Sequence, residues 1–282
     1  MPIISFWNPT GEAQTGTTAT MVAVANSIAT RNPKYKMLLT QTHYQNMKLE
    51  TSYFNMDKMI SKGNMDDITD TGIDALERLL RSNKISPESI QIYSKPKGNS
   101  IEVLYGSFKA DTDSFKRVLE TMPFLLRDYA TQTYDLVLVD LTKGADVKEV
   151  NEILEASDII VVTMNQDKEV IREMIKKFNT LKILQEKTVV PVFARYDRYL
   201  AYNAKNILRT FNFKFDKRNV YTIPYNSQYF DSCNDGRSLE FFVENMNADI
   251  ATERNGYFIS EVANISDRII ELLGNKLNDK RR

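Results

Sequence analysis

The fold class follows from one segment of the sequence, Phe6-Trp-Asn-Pro-Thr-Gly11-Glu-Ala-Gln-Thr-Gly16-Thr17-Thr18. It overlaps an apolar run that predicts a buried strand, and it leads into a pattern that predicts a helix. The spacing Gly11-x4-Gly16-x-Thr18 is that of a phosphate-binding loop, except that Thr17 stands where such loops carry a lysine. The candidate binding site therefore consists of Gly11, Glu12, Ala13, Gln14, Thr15, Gly16, Thr17 and Thr18.

Two physical effects let such a loop hold phosphate. Glycines allow the backbone to approach the phosphate oxygens, and the N-terminus of the following helix offers free N–H groups with partial positive charge. A loop lysine normally adds a full charge, and the Ser/Thr hydroxyl after it holds Mg²⁺. Two glycines five residues apart, taken alone, favour an ordinary turn before a Thr-capped helix. The interpretation therefore depends on the rest of the chain.

A second segment, Tyr134-Asp-Leu-Val-Leu-Val-Asp140, is an apolar strand that ends in an acid. Strands of this form present a carboxylate to the Mg²⁺ of a bound nucleotide. Lys143 and Gly144 follow it, where a loop that senses the phosphate would lie. A core strand that ends in a solvated Asp fits the same segment equally well. On the first interpretation, Thr18 and Asp140 are the candidate metal ligands.

Strands and helices alternate along the rest of the chain. Short apolar runs rich in β-branched residues predict strands at Pro2–Trp7, Tyr35–Leu39, Ile101–Leu104, Leu136–Asp140, Ile159–Met164, Thr188–Phe193 and Val220–Ile223. Helical patterns occupy Thr17–Arg31, Ile73–Arg81, Asp113–Ala130, Lys148–Ala156, Lys168–Leu184, Ala201–Thr210 and about Ile259–Leu277. This alternation predicts an α/β fold, a mostly parallel twisted sheet with helices on both faces. The sequence contains no linker or repeat, so we expect a single domain over residues 1–282.

Composition narrows the function classes. The 282 residues include 37 basic and 37 acidic side chains, one histidine and one cysteine. Cys233 alone excludes an internal disulfide and a cysteine-based zinc cluster, and His43 alone argues against a Ser-His-Asp triad. Zero net charge argues against a broadly basic nucleic-acid binder. Because no secretory signal and no long apolar run is visible, we expect a cytoplasmic protein, peripheral to a membrane at most.

Taken together, these segments resemble the ParA/MinD family of deviant Walker-A P-loop ATPases along almost the whole chain. The resemblance is carried by Gly11–Thr18, Val22–Ala29, Lys36–Leu39, Tyr134–Asp140, Ala156–Val162, Ile223–Asn226 and Asn234–Gly236. The layout from Ile101–Leu104 into the strand that ends at Asp140 is most similar to the pilus-positioning branch called TadZ or CpaE. The resemblance implies a site for ATP and Mg²⁺, a homodimer that sandwiches ATP, and protein partners of a positioning or assembly system.

Departures from the family pattern fall on its charged positions. The signature lysine after the first loop glycine is Glu12, and the second loop lysine is Thr17. The acid-x-acid pattern after the second strand is replaced by Thr40-Gln-Thr-His43, and Ala194 stands where an Asn reads adenine. Each lost charge-assisted hydrogen bond removes roughly 1.5–3 kcal/mol. We therefore expect nucleotide binding to be weaker by on the order of a hundredfold or more, and hydrolysis to suffer further.

Two functions stay open on these grounds. The leading hypothesis is a positioning or scaffold component of a pilus, secretion or partition system, with a degenerate site in which ATP and Mg²⁺ bind weakly or not at all. The alternative is an ATP-dependent dimerising switch with slow hydrolysis, in which the loop backbone, Thr18 and Asp140 suffice. A small-molecule kinase or ligase is disfavoured, because those enzymes also use the loop lysine.

The remaining features favour ordinary structural roles. His43 is predicted to be a polar surface or loop residue, and Cys233 a small filler. DNA binding is possible but not favoured for the basic-aromatic stretch, which contains Lys205, Arg209, Phe211, Phe213, Lys214, Phe215, Lys217 and Arg218. Core packing is preferred to a membrane-seeking role for the final helix. The aromatic-rich segment Tyr196–Tyr202 is a candidate partner surface.

Overall fold

The computed structural model describes residues 2–10, 15–61, 71–144, 147–211 and 219–279. In these ranges the strands are β1 (Ile3–Trp7), β2 (Met37–Gln41), β3 (Lys95–Lys97), β4 (Ile101–Val103), β5 (Leu136–Asp140), β6 (Ile159–Met164), β7 (Thr188–Tyr196) and β8 (Tyr221–Pro224). They form one sheet in the order β3-β4-β2-β5-β1-β6-β7-β8. Every neighbouring pair is parallel except β3 with β4. The predicted mostly parallel sheet is confirmed.

The helices connect these strands. They are α1 (Thr17–Arg31), α2 (Lys48–Tyr53), α3 (Met56–Ser61), α4 (Gly72–Arg81), α5 (Pro87–Tyr93), α6 (Thr112–Leu125), α7 (Lys148–Ala156), α8 (Lys168–Thr180), α9 (Lys182–Glu186), α10 (Ala204–Thr210), α11 (Ser227–Asn234), α12 (Ser238–Asn245) and α13 (Arg254–Asp279). The α6 helix continues as the π-helical segment Leu126–Ala130 and the short turn Thr131–Thr133.

The central strands are buried on both faces, which explains their continuous apolar sequences. Successive side chains of a strand point to opposite faces, and β1 shows the consequence. Ile4 and Phe6 enter a core that also contains residues of α1 and α13. Ile3 and Trp7 enter a second core, shared with residues of α6, α7 and α8. The sheet is therefore covered by helices on both sides, as the sequence predicts.

Some element boundaries differ from the predicted ones. The edge strand β3 is absent from the prediction, because Lys95-Pro-Lys97 is polar and contains a proline, as edge strands tolerate. The helix predicted over Asp113–Ala130 changes to π-helical geometry at Leu126. The one predicted over Lys168–Leu184 is interrupted at Leu181, whose backbone is extended. Asn203 caps the N-terminus of α10 by accepting from the Asn206 N–H, so this helix starts later than predicted.

The final helix packs against α1. Val262, Ile265 and Ile269 are fully buried, and the hydroxyls of Ser27 and Ser266 lie 2.8 Å apart. The prediction that this helix contributes to the core is confirmed. In the described part of the chain, no helix has the length and apolarity needed to cross a membrane.

Candidate functional site

The candidate site lies where β1, β5 and β6 end and α1 begins. These three strands are neighbours and parallel, so their carboxyl ends meet at one edge of the sheet. Ligands of open α/β sheets bind at this edge. Of the predicted loop residues, Thr15, Gly16, Thr17 and Thr18 are placed here. The others, Gly11, Glu12, Ala13 and Gln14, lie outside the described residues.

Gly16 is the N-cap of α1 and has a left-handed backbone, with φ of 75°. A β-carbon at this position would lie 3.1 Å from the Ala194 β-carbon, which is closer than an ordinary van der Waals contact. Both the backbone angle and the space therefore favour glycine.

Hydroxyl groups link the loop to its surroundings. The Asn8 amide donates to Thr15 Oγ1 at 3.0 Å, and Thr17 Oγ1 lies 2.7 Å from Thr163 Oγ1 at the end of β6. Thr17 occupies the second loop-lysine position of the resembled family. Its short, neutral side chain is thus hydrogen-bonded to the sheet and adds no charge to the site.

Thr18 and Asp140 are brought together as predicted. The Thr18 hydroxyl donates to Asp140 Oδ2 at 2.5 Å, and the Asp140 side chain is fully buried. Among the described residues, Asp140 Oδ1 has no hydrogen-bond partner. Asp140 is therefore a buried carboxylate, and the solvated end of a core strand is excluded.

His43 lies in the loop after β2, as predicted, and it also contacts the same carboxylate, which the prediction did not include. Its Nε2 lies 3.1 Å from Asp140 Oδ2, without the alignment of a hydrogen bond, and its side chain is 18% exposed. Burial is the largest single effect and lowers the pKa of His43, but the nearby carboxylates of Asp140 and Glu50 together outweigh it, so the pKa is raised above 6.5. The contact follows from the pairing of β2 with β5, which places Gln41 beside Asp140 and so brings the loop after β2 close to this carboxylate. The order of the strands in the sheet is not visible in the sequence.

A cleft of about 640 Å³ opens beside the loop. Lys48 at the start of α2, Lys143 after β5 and Arg195 near the end of β7 line it. Arg195 has a positive φ of 54°, and its guanidinium lies 5.2 Å from the centre of the Phe230 ring. These cations come from three separate parts of the chain, so no local sequence pattern predicts them as a set. They surround the cleft with positive charge.

Cys233 also lines this cleft. Burial raises the pKa of its thiol to about 11, so the thiol stays protonated at neutral pH. This agrees with the prediction of a small filler rather than a reactive nucleophile.

The loop after β5 is fastened to the end of β1. The fully buried Trp7 donates its indole N–H to the Gly144 carbonyl at 3.0 Å, and the Gly144 N–H donates to the Asn8 carbonyl at 3.0 Å. Trp7 therefore connects the segment that would sense phosphate to the strand that leads into the phosphate loop.

A buried acid lies behind this edge of the sheet. Glu50 of α2 accepts hydrogen bonds from the Gly106 N–H at 2.7 Å and from the Gln41 amide, and its side chain is fully buried. Burial raises the pKa of Glu50, and the charge of Asp140 adds to this effect. These bonds hold the backbone around Gly106 against the end of β2.

The features predicted outside the loop are partly described. Lys205 and Arg209 are exposed on α10, whereas the basic residues from Lys214 onward in that stretch lie outside the described residues. In the aromatic-rich segment, Tyr199 is 84% exposed and Leu200 is 47% exposed. Exposure of these side chains is consistent with the predicted partner surface.

Comparison with known proteins gives matches by structure and none by sequence. No family profile and no curated protein sequence matches the chain. A ParA family ATPase from Chlorobium tepidum matches with a TM-score of 0.65 and 11% identity, over 95% of this chain and 98% of that chain. The MinC:MinD cell division protein complex of Aquifex aeolicus matches with a TM-score of 0.63 and 13% identity, over 96% of this chain and 96% of that chain. MinD from Pyrococcus horikoshii, complexed with Mg-ADP, matches with a TM-score of 0.61 and 13% identity, over 95% of this chain and 96% of that chain.

These matches cover nearly the full length of each chain, at identities that report on the fold alone. The chain therefore has the α/β fold of the ParA/MinD P-loop proteins, as the sequence resemblance implies.

Proposed function

We propose that the chain is a ParA/MinD-like positioning or scaffold component, of a pilus, secretion or partition system, with a degenerate nucleotide site. One observation carries the proposal. Thr17, at a loop-lysine position, is neutral, and its hydroxyl is hydrogen-bonded to Thr163 at 2.7 Å. Charge that develops on phosphate in a transition state therefore meets no ammonium group from this position. The layout from β4 to β5 is most similar to the TadZ/CpaE branch, and this similarity favours a role in pilus positioning.

Residual nucleotide affinity has a physical basis in the same cleft. The N-terminus of α1 offers free N–H groups, and Lys48, Lys143 and Arg195 supply positive charge from the walls. Such a set attracts a polyphosphate without the close lysine contacts that the hydrolysis reaction uses. We therefore expect weak binding of ATP, or none, and negligible turnover.

The partners follow from the scaffold role. We expect a homodimer that recruits proteins of a positioning or assembly system. The fold relative from Aquifex aeolicus is found in a MinC:MinD cell division protein complex. The exposed side chains of Tyr199 and Leu200 favour the segment Tyr196–Tyr202 as part of the recruiting surface. DNA binding stays disfavoured, since the chain has zero net charge.

The test is a titration with Mg-ATP that follows the emission of Trp7, with phosphate release measured in parallel. Trp7 is the single tryptophan and is bonded to Gly144 beside the cleft, so its emission reports on this site. We expect no saturable change up to millimolar nucleotide and no turnover above the buffer rate. Robust turnover would contradict the scaffold function.

A second function is favoured by a specific contact. Thr18 and Asp140 keep the pairing of an active nucleotide site, at 2.5 Å. If this pair and the wall cations suffice, the chain is an ATP-dependent dimerising switch with slow hydrolysis. Saturable quenching of Trp7 together with slow phosphate release would favour this alternative.

A further inference from the structure

A second cavity lies beside the candidate nucleotide cleft, and the two share no lining residue among those that the structure describes. It is a groove of about 770 Å³ between the loop after β7, the end of β8 and the start of α13. Tyr225 lines this groove and Phe230 lines the cleft, and their rings stack with centres 5.2 Å apart. Its size is that of an ordinary ligand site.

Four tyrosines line the groove, which is called the tyrosine groove below: Tyr196, Tyr199, Tyr225 and Tyr257. Tyr199 is 84% exposed, Tyr225 is 56% exposed, and Ile250 in the same lining is 61% exposed. Large side chains exposed around one concave surface mark a place for a partner. Tyrosine and arginine are also the residue types that most often carry the binding energy of protein interfaces.

Hydrogen bonds hold the walls of the tyrosine groove in place. The Gln166 amide donates to the carbonyls of Asp197 and Tyr202 at 2.9 and 2.8 Å, and its oxygen accepts from the Asp197 N–H at 2.7 Å. On the side of α13, the Asp249 carboxylate accepts from the Ala251 N–H at 2.7 Å. The groove is therefore formed before any partner arrives, which lowers the entropy cost of binding.

Two arginines, Arg198 and Arg254, bring positive charge to the tyrosine groove. The guanidinium carbon of Arg198 lies 5.3 Å from the centre of the Tyr199 ring and 5.4 Å from that of the Tyr257 ring. Cation–π attraction to two rings holds this guanidinium in place, and its forked N–H groups suit a carboxylate. Within the described ranges, neither arginine forms an ion pair. A negatively charged partner would supply the missing counter-charge.

The acidic residues of the groove are engaged with the backbone instead. Asp197 Oδ1 accepts from the Tyr199 N–H at 2.9 Å, and Glu253 Oε1 accepts from the Asp249 N–H at 3.0 Å. A single-stranded nucleic acid would bring one phosphate per nucleotide past these two carboxylates, against the charge of two arginines. A peptide with one or two carboxylates fits this balance of charge better.

We propose that the tyrosine groove is the docking site for a short acidic segment of a partner protein. A carboxylate of this segment forms a bidentate ion pair with Arg198, and a neighbouring apolar side chain packs against Tyr199, Tyr225 and Ile250. The inference rests on the proposed scaffold function for the partner being a protein, and it adds the chemistry by which that partner is recognised.

The first test selects peptides from a random twelve-residue library, displayed on phage, against the immobilised full chain. We expect the enriched peptides to share an aspartate or glutamate next to an apolar residue. The most enriched peptide is then synthesised with a fluorescent label and titrated by fluorescence anisotropy. Replacing its shared acid by the corresponding amide should weaken binding about tenfold or more, since the charge-assisted pair is lost. No enrichment, or enriched peptides without an acid, would overturn the proposal.

The second test asks whether the selected peptide uses the groove. Arg198→Gln removes the positive charge and should weaken binding of the labelled peptide about tenfold or more. Arg117→Gln is the matched control, since Arg117 is an exposed arginine of α6 outside the groove lining, and it should leave the affinity within about twofold. Equal affinities in the two variants would contradict the proposal.

The aromatic wall has its own pair of variants. Tyr199→Ala should weaken peptide binding severalfold, whereas Tyr199→Phe keeps the ring and should leave the affinity nearly unchanged. An equal effect of both variants would show that the ring does not pack against the peptide. Circular dichroism and thermal melting check that each variant is folded, and Arg254→Gln serves in place of Arg198→Gln if that variant is not.

Three further measurements examine other occupants of the groove. A labelled oligothymidine that binds more tightly than the peptide, and that Arg198→Gln weakens, would make the groove a nucleic-acid site. Loss of self-association in Arg198→Gln, seen by light scattering, would make it a contact between copies of this chain. Displacement of the peptide by Mg-ATP would assign the groove to the nucleotide site. Each of these results would overturn the proposal, and we expect none of them.

Failure of this inference is distinguishable from failure of the function on which it rests. Peptide binding is measured without nucleotide, so robust ATP turnover would end the scaffold function while the peptide titrations still decide the role of the groove. If no peptide binds and no turnover is found, the groove proposal fails and the scaffold function stands.

Discussion

In the predicted phosphate loop, Glu12 and Thr17 stand at the two positions where the resembled family carries lysine. Replacing both by lysine restores two cations and removes one anion. Because each charge-assisted hydrogen bond contributes roughly 1.5–3 kcal/mol, we expect the Glu12→Lys/Thr17→Lys variant to bind ATP on the order of a hundredfold more tightly. Isothermal titration calorimetry and Trp7 emission measure the change.

The control for this gain is Glu12→Met/Thr17→Met, which has unbranched side chains of comparable length without charge. It should bind ATP no better than about tenfold above the wild type, through the loss of the Glu12 charge alone. Equal affinities in the Lys and Met variants would mean that the loop does not contact phosphate.

The buried Glu50 is expected to make the stability of the protein depend on pH. Its pKa is raised by burial in the folded protein, above the ordinary 4.5. As pH rises above 4.5, the Glu50 carboxyl ionises in the unfolded chain before it ionises in the folded protein. The free energy of unfolding therefore falls with rising pH, until the pH exceeds the raised pKa of the folded state. The charge of Asp140 on β5 adds to this upward shift, whereas the hydrogen bonds from Gly106 and Gln41 oppose it. We expect Glu50→Gln to flatten the fall of unfolding free energy above pH 4.5.

Urea denaturation at several pH values measures this slope. Glu50→Gln also alters the hydrogen bonds to Gly106 and Gln41, so the slope and not the absolute stability is the relevant quantity. The exposed Glu120→Gln is the control and should keep the wild-type slope. An unchanged slope in Glu50→Gln would show that the buried carboxyl does not titrate as inferred.

Among the elements, the end of α11 depends on a glycine. Gly236 has φ of 72°, and a β-carbon there would lie 2.5 Å from the Phe54 carbonyl carbon. A left-handed backbone costs a non-glycine residue about 1–2 kcal/mol, and overpacking costs about 1–3 kcal/mol. We therefore expect Gly236→Ala to lower the unfolding free energy by roughly 2–4 kcal/mol, as measured by chemical denaturation.

Gly274 in α13 is the matched control, since an added β-carbon there meets nothing within 4 Å. Alanine is the better helix former, so Gly274→Ala should stabilise the protein by roughly 0.5–1 kcal/mol. If both substitutions destabilise equally, the close approach of α11 to Phe54 is not what makes Gly236 necessary.

Element prediction succeeded where burial imposes a pattern. The central strands β1, β5 and β6 are covered on both faces, so their sequences are continuously apolar and visible. The short helix α2 and the edge strand β3 lack such a pattern, and they were missed. Because α2 carries Lys48 and Glu50, these two residues were absent from the predicted site.

For the whole molecule, the proposed function predicts a homodimer whose formation does not depend on nucleotide. On this proposal the site lacks two lysines and couples ATP only weakly to assembly, so contacts between protein surfaces are expected to hold the two copies together. Light scattering after gel filtration should give about twice the chain mass of 32.5 kDa, with and without Mg-ATP. A dimer that forms only with ATP would favour the switch, and a monomer in both conditions would contradict the dimer.

The sequence alone predicts the α/β class, a phosphate loop between β1 and α1, and Thr18 and Asp140 as candidate metal ligands. These follow from local periodicity and from the rule that parallel strands end at one edge. The tertiary structure alone decided that His43 lies against Asp140 and that Lys48, Lys143 and Arg195 line one cleft. The reason is physical, because strand order and loop paths bring together residues far apart in the chain, and electrostatic contacts leave no periodic trace in a sequence.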